Sequence, residues 1–136
     1  MTLLLGVDVG TTGVRAAVHD EHGRLVAEAS EGCAHAAPAP GRAEADPEGW
    51  WRAVVATCAA LGRRVPLGEV GAVGVTGQAP TAVLVDAGGR AVAPAILWLD
   101  VRADAEARAI EAALGPGRAE AIGGNRMHPY YLGPKL

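Results

Sequence analysis

The feature that most limits how this chain can fold is a four-residue spacing near its start. Two short apolar runs, residues 3–9 and 13–19, are separated only by the turn Gly10-Thr11-Thr12-Gly13. A parallel connection needs a dozen or more residues, so the spacing predicts an antiparallel hairpin. A second turn at residues 20–24 leads to a third predicted strand around residues 25–29, which completes a meander. The first run is almost wholly apolar and is expected to be buried on both faces.

The remaining chain alternates helical and extended patterns. Residues 32–45 contain prolines and no periodicity, which predicts a surface loop. Asp46-Pro47-Glu48 is a strong helix start, and that helix is expected to end near residues 62–66. Further strands are predicted at residues 70–76, 81–85 and 95–97, followed by a helix from about 101 to 114. This order predicts a mixed α/β fold.

Composition excludes several classes of protein. The net charge of -3 with scattered basic residues does not favour nucleic acid as a partner. The opening Leu3-Leu4-Leu5 lacks a basic flank and is soon followed by Asp8, so neither a signal peptide nor a membrane span is expected. Cys33 and Cys58 form no zinc-binding spacing, which favours a reducing, cytoplasmic location. The length fits one domain, or a piece of one.

The first turn carries the chemistry that the sequence suggests. Gly10 and Gly13 leave backbone N–H groups accessible to a phosphate tail, and Thr11 and Thr12 add hydroxyl donors. Asp8, at the end of the first strand, is placed to hold Mg²⁺ through water. Arg15 adds a charge suited to phosphate oxygens.

A simpler interpretation stays open at this point. The same residues suit an ordinary glycine hairpin in which Asp8 only caps the turn. The common glycine-rich phosphate motifs join a strand to a helix, whereas this turn joins two strands. The loop is therefore neither a P-loop nor a dinucleotide fingerprint.

Residues 8–15, Asp-Val-Gly-Thr-Thr-Gly-Val-Arg, resemble the first phosphate motif of the FGGY carbohydrate kinases. Three more segments resemble that family in the same order: residues 44–51 (Glu-Ala-Asp-Pro-Glu-Gly-Trp-Trp), residues 76–86 beginning Thr-Gly-Gln, and residues 94–102 (Pro-Ala-Ile-Leu-Trp-Leu-Asp-Val-Arg). Tyr130 lies where family members acting on glycerol have a substrate-side tyrosine. Four collinear matches are much stronger evidence than one loop.

The resemblance implies an α/β, ribonuclease-H-like fold of the actin/hexokinase superfamily, with a mixed sheet flanked by helices. Residues 1–136 would be the N-terminal sugar-binding domain, truncated and without the second, ATP-binding domain. The cofactors would be ATP and Mg²⁺, and the phosphoryl acceptor a sugar or polyol. Because the family's catalytic base is an aspartate well downstream, no catalytic residue is expected here. The expected protein partner would be a C-terminal kinase half or, through self-association, a second copy of the chain.

The resemblance also implies four substrate-binding residues: Gln78, Trp98, Asp100 and Tyr130. An amide and a carboxylate suit sugar hydroxyls, and an indole face suits the apolar side of a carbon chain. Each has a structural alternative, such as a core tryptophan or an aspartate that caps the helix from residue 101. After Gln78 the chain has Ala79-Pro80-Thr81, where the family's xylulose- and glycerol-specific members carry other hydrogen-bonding residues, so the choice of substrate is expected to be relaxed or changed.

Three functions therefore compete. The first is ATP-dependent phosphorylation of a sugar or polyol, with this chain as the substrate- and phosphate-binding part. The second is a non-catalytic remnant or a sugar- or phosphate-binding module without a base. The third is an actin-like assembly protein, against which the segment Trp98-Leu99-Asp100 speaks.

Overall fold

The computed structural model describes residues 2–136, which form two compact units. The first comprises residues 2–35 and 46–78, and the second comprises residues 36–45 and 79–136. The strands are β1 (Leu3–Val9), β2 (Gly13–His19), β3 (Leu25–Gly32), β4 (His35–Ala36), β5 (Glu44–Ala45), β6 (Val70–Gly77) and β7 (Ala95–Ile96). The helices are α1 (Pro47–Gly62), α2 (Asp104–Leu114), α3 (Arg118–Gly123) and α4 (Leu132–Lys135), with a 3₁₀ turn at Leu67–Glu69.

The first unit is built on a four-stranded mixed sheet in the order β3-β2-β1-β6. The predicted meander is confirmed, because β1 pairs antiparallel with β2 and β2 with β3. Strand β6 returns beside β1 in parallel, as a crossover through α1 allows. The predicted mixed α/β order is therefore confirmed.

The core of the first unit lies between α1 and one face of the meander. Side chains alternate across a strand, so only every second residue of β1 and β2 points toward the helix. The buried cluster consists of Leu3, Val7, Val14, Ala16, Val18, Ala27, Ala53, Leu61 and Val65. The prediction that β1 is buried on both faces is wrong, since Leu4, Gly6 and Asp8 on its other face are exposed.

Helix α1 begins and ends where the sequence predicts. The Asp46 carboxylate accepts the N–H of Glu48 at 3.0 Å, and Pro47 occupies the first turn, where no N–H is required. Trp50 is half-buried, whereas Trp51 is 63% exposed, so one of the two tryptophans contributes to packing.

The second unit departs further from the sequence prediction. Residues 81–85 form no continuous strand but only single bridges at Ala82 and Val85. The prediction of a surface loop over residues 32–45 is wrong at the C-terminal end of that segment. There β5 pairs with β7, and Ala43 and Ala45 are buried. Helix α2 begins at Asp104 rather than near residue 101, and α3 was not predicted.

Among residues 2–136, no helix combines the length and the apolar character needed to cross a bilayer.

Candidate phosphate and substrate site

The turn between β1 and β2 is specified by its backbone. The N–H of Gly10 donates to the carbonyl of Gly13 at 2.9 Å and closes the hairpin. A Cβ added at Gly13 would lie 2.6 Å from the carbonyl oxygen of Glu31 on β3. Only glycine fits at such a distance, so the glycine predicted for phosphate access is also required for strand packing.

A row of polar residues crosses the first sheet beside this turn. In the strand register, Asp8 lies opposite Arg15 on β2 and beside Thr76 on β6, and Arg15 lies opposite Ser30 on β3. This polar row lies on the face of the sheet away from α1. Thr76 was not predicted as a site residue. A prediction that β1 and β6 pair in parallel would have placed it beside Asp8, near the ends of the two strands, where ligands commonly bind.

Asp8 and Arg15 are exposed, and neither side chain makes a hydrogen bond or ion pair with any other residue in the range 2–136. In the neighbouring row toward the start of β1, the positions on β2, β1 and β6 have small side chains, at Ala17, Gly6 and Gly74, and the row ends with Glu28 on β3. Together with Asp8, Arg15 and Thr76, these small residues line a groove on the open face of the sheet. One acidic and one basic side chain, Asp8 and Arg15, lie at one end of this groove, which suits an anionic ligand that carries a metal ion.

Gln78, the first predicted substrate residue, lies against the turn. Its N–H donates to the carbonyl of Val9 at 3.0 Å, which extends the pairing of β6 with β1. Its side-chain Oε1 accepts the hydroxyl of Thr11 at 3.0 Å, and its Nε2 approaches the carbonyl of Gly10 at 3.4 Å. The structure therefore brings a predicted substrate residue and the predicted phosphate turn into direct contact.

Trp98, in the second unit, occupies a tight turn that follows β7. The N–H of Asp100 donates to the carbonyl of Leu97 at 3.1 Å, so Trp98 is the first of two corner residues. The N–H of Leu97 donates to the carbonyl of Ala43 at 3.0 Å and ties the turn to the segment before β5. The indole-bearing residue remains 41% exposed.

Asp100, which closes the same turn, is fully buried. Its Oδ1 accepts the N–H and the Nε–H of Arg102, both at 2.9 Å, and its Oδ2 accepts the N–H of Ala43 and the Nη2–H of Arg102, both at 2.7 Å. These contacts use both carboxylate oxygens, and they favour the internal role of Asp100 over a direct sugar contact. The structural alternative, in which Asp100 caps a helix from residue 101, is wrong as stated, because α2 begins only at Asp104 and the carboxylate binds Arg102 ahead of it.

The charge on Asp100 is stabilised despite its burial. Burial opposes ionisation, but hydrogen bonds from the Arg102 side chain and the Ala43 N–H outweigh it and lower the pKa of Asp100 to about 2. The same hydrogen bond, opposed by burial, raises the pKa of Arg102, which also contacts Glu44 at 2.7 Å. Arg102 and Glu44 were not predicted as site residues, because the pairing links positions 58 apart in the chain.

Tyr130 is half-buried within the second unit. Its ring meets the ring of His128 edge-on, with centroids 5.1 Å apart, and lies tilted against Tyr131 at 4.3 Å. These contacts fix the orientation of the Tyr130 ring. The arrangement is compatible both with a purely structural packing role and with contact to a ligand.

No group of three or more metal-ligating side chains is found among residues 2–136. Asp8 is a single carboxylate, which is what a metal held mainly by water and phosphate requires.

Known proteins resemble this chain along nearly its whole length. The model of the "FGGY family of carbohydrate kinases, N-terminal domain" matches residues 3–136. A xylulose kinase from Escherichia coli (strain K12) is 40% identical over 134 residues, which cover 98% of this chain and 27% of the relative. A glycerol kinase from Verminephrobacter eiseniae is 38% identical over 139 residues, covering 100% of this chain and 27% of the relative.

A solved structure supports the same assignment. The crystal structure of xylulose kinase from Rhodospirillum rubrum superposes with a TM-score of 0.91 at 30% identity, covering 98% of this chain and 28% of that one. This similarity confirms the predicted α/β fold of the actin/hexokinase type. The chain spans about a quarter of the length of these relatives. It belongs to the FGGY family of carbohydrate kinases and corresponds to their N-terminal domain.

Proposed function

We propose that this chain is the sugar- and phosphate-binding part of an ATP-dependent kinase that phosphorylates a hydroxyl of a sugar or polyol. The observation that carries the proposal is the exposed Asp8 carboxylate, which lies beside the Gly10–Gly13 turn and has no partner among the described residues. The named relatives act on xylulose and glycerol, which supports a small polyhydroxy acceptor.

The residues of the turn fit MgATP. When bound, MgATP supplies the phosphoryl group to be transferred, with the metal neutralising charge on its oxygens. Asp8 would hold the metal through water, and Arg15 would meet phosphate oxygens from the neighbouring strand. Gly10 and Gly13 keep side chains away from the turn, so its backbone remains open to the phosphate tail.

The acceptor would be bound by Gln78, Trp98 and Tyr130. The Gln78 amide supplies a donor and an acceptor for hydroxyls, and the two aromatic rings offer faces to the carbon chain. Asp100 would act indirectly, by holding the turn on which Trp98 lies. Phosphoryl transfer depends mainly on such positioning of the two substrates.

The proposal extends to the whole polypeptide. The catalytic base and the adenosine-binding residues would lie in a second domain, in the part of the relatives' length that residues 1–136 do not match. The protein would operate in the cytoplasm, where MgATP is available.

Calorimetric titration tests the proposal on the chain itself. The wild type, Asp8→Asn and Asp86→Asn would each be titrated with MgATP and with xylulose, ribulose, glycerol and gluconate. Asp86 is a matched control because it is an exposed carboxylate to which the proposed site gives no role, and it accepts two N–H groups within its own turn. We expect at least one acceptor to bind the wild type, and MgATP affinity to fall about tenfold or more in Asp8→Asn alone.

The alternatives predict other results. A sugar-binding module without kinase function would bind an acceptor but remain insensitive to MgATP and to Asp8→Asn. If no acceptor binds and MgATP has no effect, the proposed function is wrong.

A further inference from the structure

Lys135 is the only lysine in the sequence, and the proposed function gives it no role. It lies at the end of α4 and is half-buried. Its Nζ donates to the carbonyl oxygen of Leu97 at 2.7 Å. A charged donor at this distance makes one of the stronger hydrogen bonds in the second unit.

The carbonyl that Lys135 contacts belongs to the peptide group joining Leu97 to Trp98. The same oxygen accepts the N–H of Asp100 at 3.1 Å, so both of its lone pairs are used. With that oxygen held from two sides, the peptide plane before Trp98 has little freedom to rotate. The backbone from which the indole projects is thereby fixed on its N-terminal side.

The other end of the turn is fixed by charge. The buried Asp100 carboxylate binds Arg102 and the N–H of Ala43, and Arg102 also binds Glu44. The exposed Trp98 is thus the corner of a turn that is anchored at its first carbonyl and at its last side chain. Such preorganisation lowers the entropic cost of binding a ligand, because the turn is already ordered.

We infer that Lys135 is a positioning residue, which holds the Trp98 turn in the orientation that presents the indole to the acceptor substrate. The statement about substrate rests on the function proposed above, whereas the fixing of the turn does not. Burial lowers the pKa of Lys135, while the nearby Asp100 carboxylate opposes that effect by favouring the charged form. The ammonium group therefore lies where its charge is partly desolvated and its hydrogen bond correspondingly strong.

The test uses the indole N–H signals of the three tryptophans in ¹⁵N-labelled chain, with Trp98 assigned by its loss in Trp98→Phe. Lys135→Met removes the donor and keeps the length of the stem. Lys135→Arg keeps a cationic donor and serves as the conservative rescue. Arg126→Met is the matched control, because Arg126 is an exposed cation of the same unit paired with Glu120 at 3.6 Å.

We expect Lys135→Met to shift or broaden the Trp98 signal while Trp50 and Trp51 stay as in the wild type, and to weaken acceptor binding about tenfold. Lys135→Arg should restore most of both properties, and Arg126→Met should change neither. An unchanged Trp98 signal in Lys135→Met would overturn the inference. A displaced signal with unchanged acceptor affinity would overturn the substrate role of Lys135. If the wild type binds no acceptor, the proposed function fails, and the indole signal still decides whether Lys135 holds the turn.

Discussion

The Gly10–Gly13 turn of the first unit and the Leu97–Asp100 turn of the second are held in opposite ways. The first is defined by backbone hydrogen bonds and by glycines, and the charged Asp8 beside it is exposed. The second is defined by a buried carboxylate, and the charges of Asp100 and Arg102 are used to hold it together. At the first turn the charge of Asp8 is therefore available to a ligand. At the second turn, which has backbone hydrogen bonds as well, the charges of Asp100 and Arg102 are paired within the fold.

The difference separates two aspartates that look alike in sequence. Asp8 and Asp100 both lie at or just beyond the end of a strand, and both were predicted to bind ligand. Only Asp8 has the exposure that such a role requires. The following predictions test this contrast, beginning with the largest expected effect.

Asp100→Asn should destabilise the chain by about 3–5 kcal/mol, because it removes the charge of the fully buried partner of Arg102 and leaves that guanidinium, itself largely buried, with Glu44 as its only anionic contact among the described residues. Asp8→Asn should change the free energy of unfolding by less than about 0.5 kcal/mol, since its side chain has no partner among the described residues. Urea unfolding followed by circular dichroism measures both. Equal losses in the two variants would remove the contrast between the turns.

Acid should weaken the second turn selectively. The pKa of Asp100 in the folded chain is about 2, below its ordinary value of 3.8, so the folded state binds this proton less readily than the unfolded state does. The resulting stabilisation is complete above about pH 4 and is lost as pH falls through about 2; it amounts to about 2 kcal/mol. Unfolding of wild type and Asp100→Asn at pH 5 and pH 2 measures it. The stability gap between them should narrow at pH 2, and a constant gap would contradict the assignment.

Gly13→Ala should destabilise the chain by at least about 1 kcal/mol, because the new Cβ would lie 2.6 Å from the Glu31 carbonyl. Gly74→Ala on β6 is the control, since a Cβ there meets nothing within 4 Å. Urea midpoints compare the two variants. If Gly13→Ala is as stable as Gly74→Ala, the first turn is not defined by close backbone packing.

The first turn was predictable because its determinants are local. A turn of four residues that joins two apolar runs leaves a hairpin as the only short connection, and the cap at Asp46 lies next to the helix it begins. The role of Asp100 was not predictable, since it depends on the Ala43 N–H, 57 positions earlier, and on the burial of Arg102. The contact of Lys135 with Leu97, 38 positions away, escaped prediction for the same reason.

The central claim is that the Gly10–Gly13 turn, with the exposed Asp8 beside it, binds the phosphate tail of MgATP. Its most direct test is an amide NMR titration of the chain with MgATP, in wild type and in Asp8→Asn. The account predicts shifts at Gly10, Thr11, Thr12 and Gly13 that are largely lost in the variant, with none at the glycine turn of residues 86–89. Absence of shifts in the wild type, or equal shifts in both proteins, would contradict it.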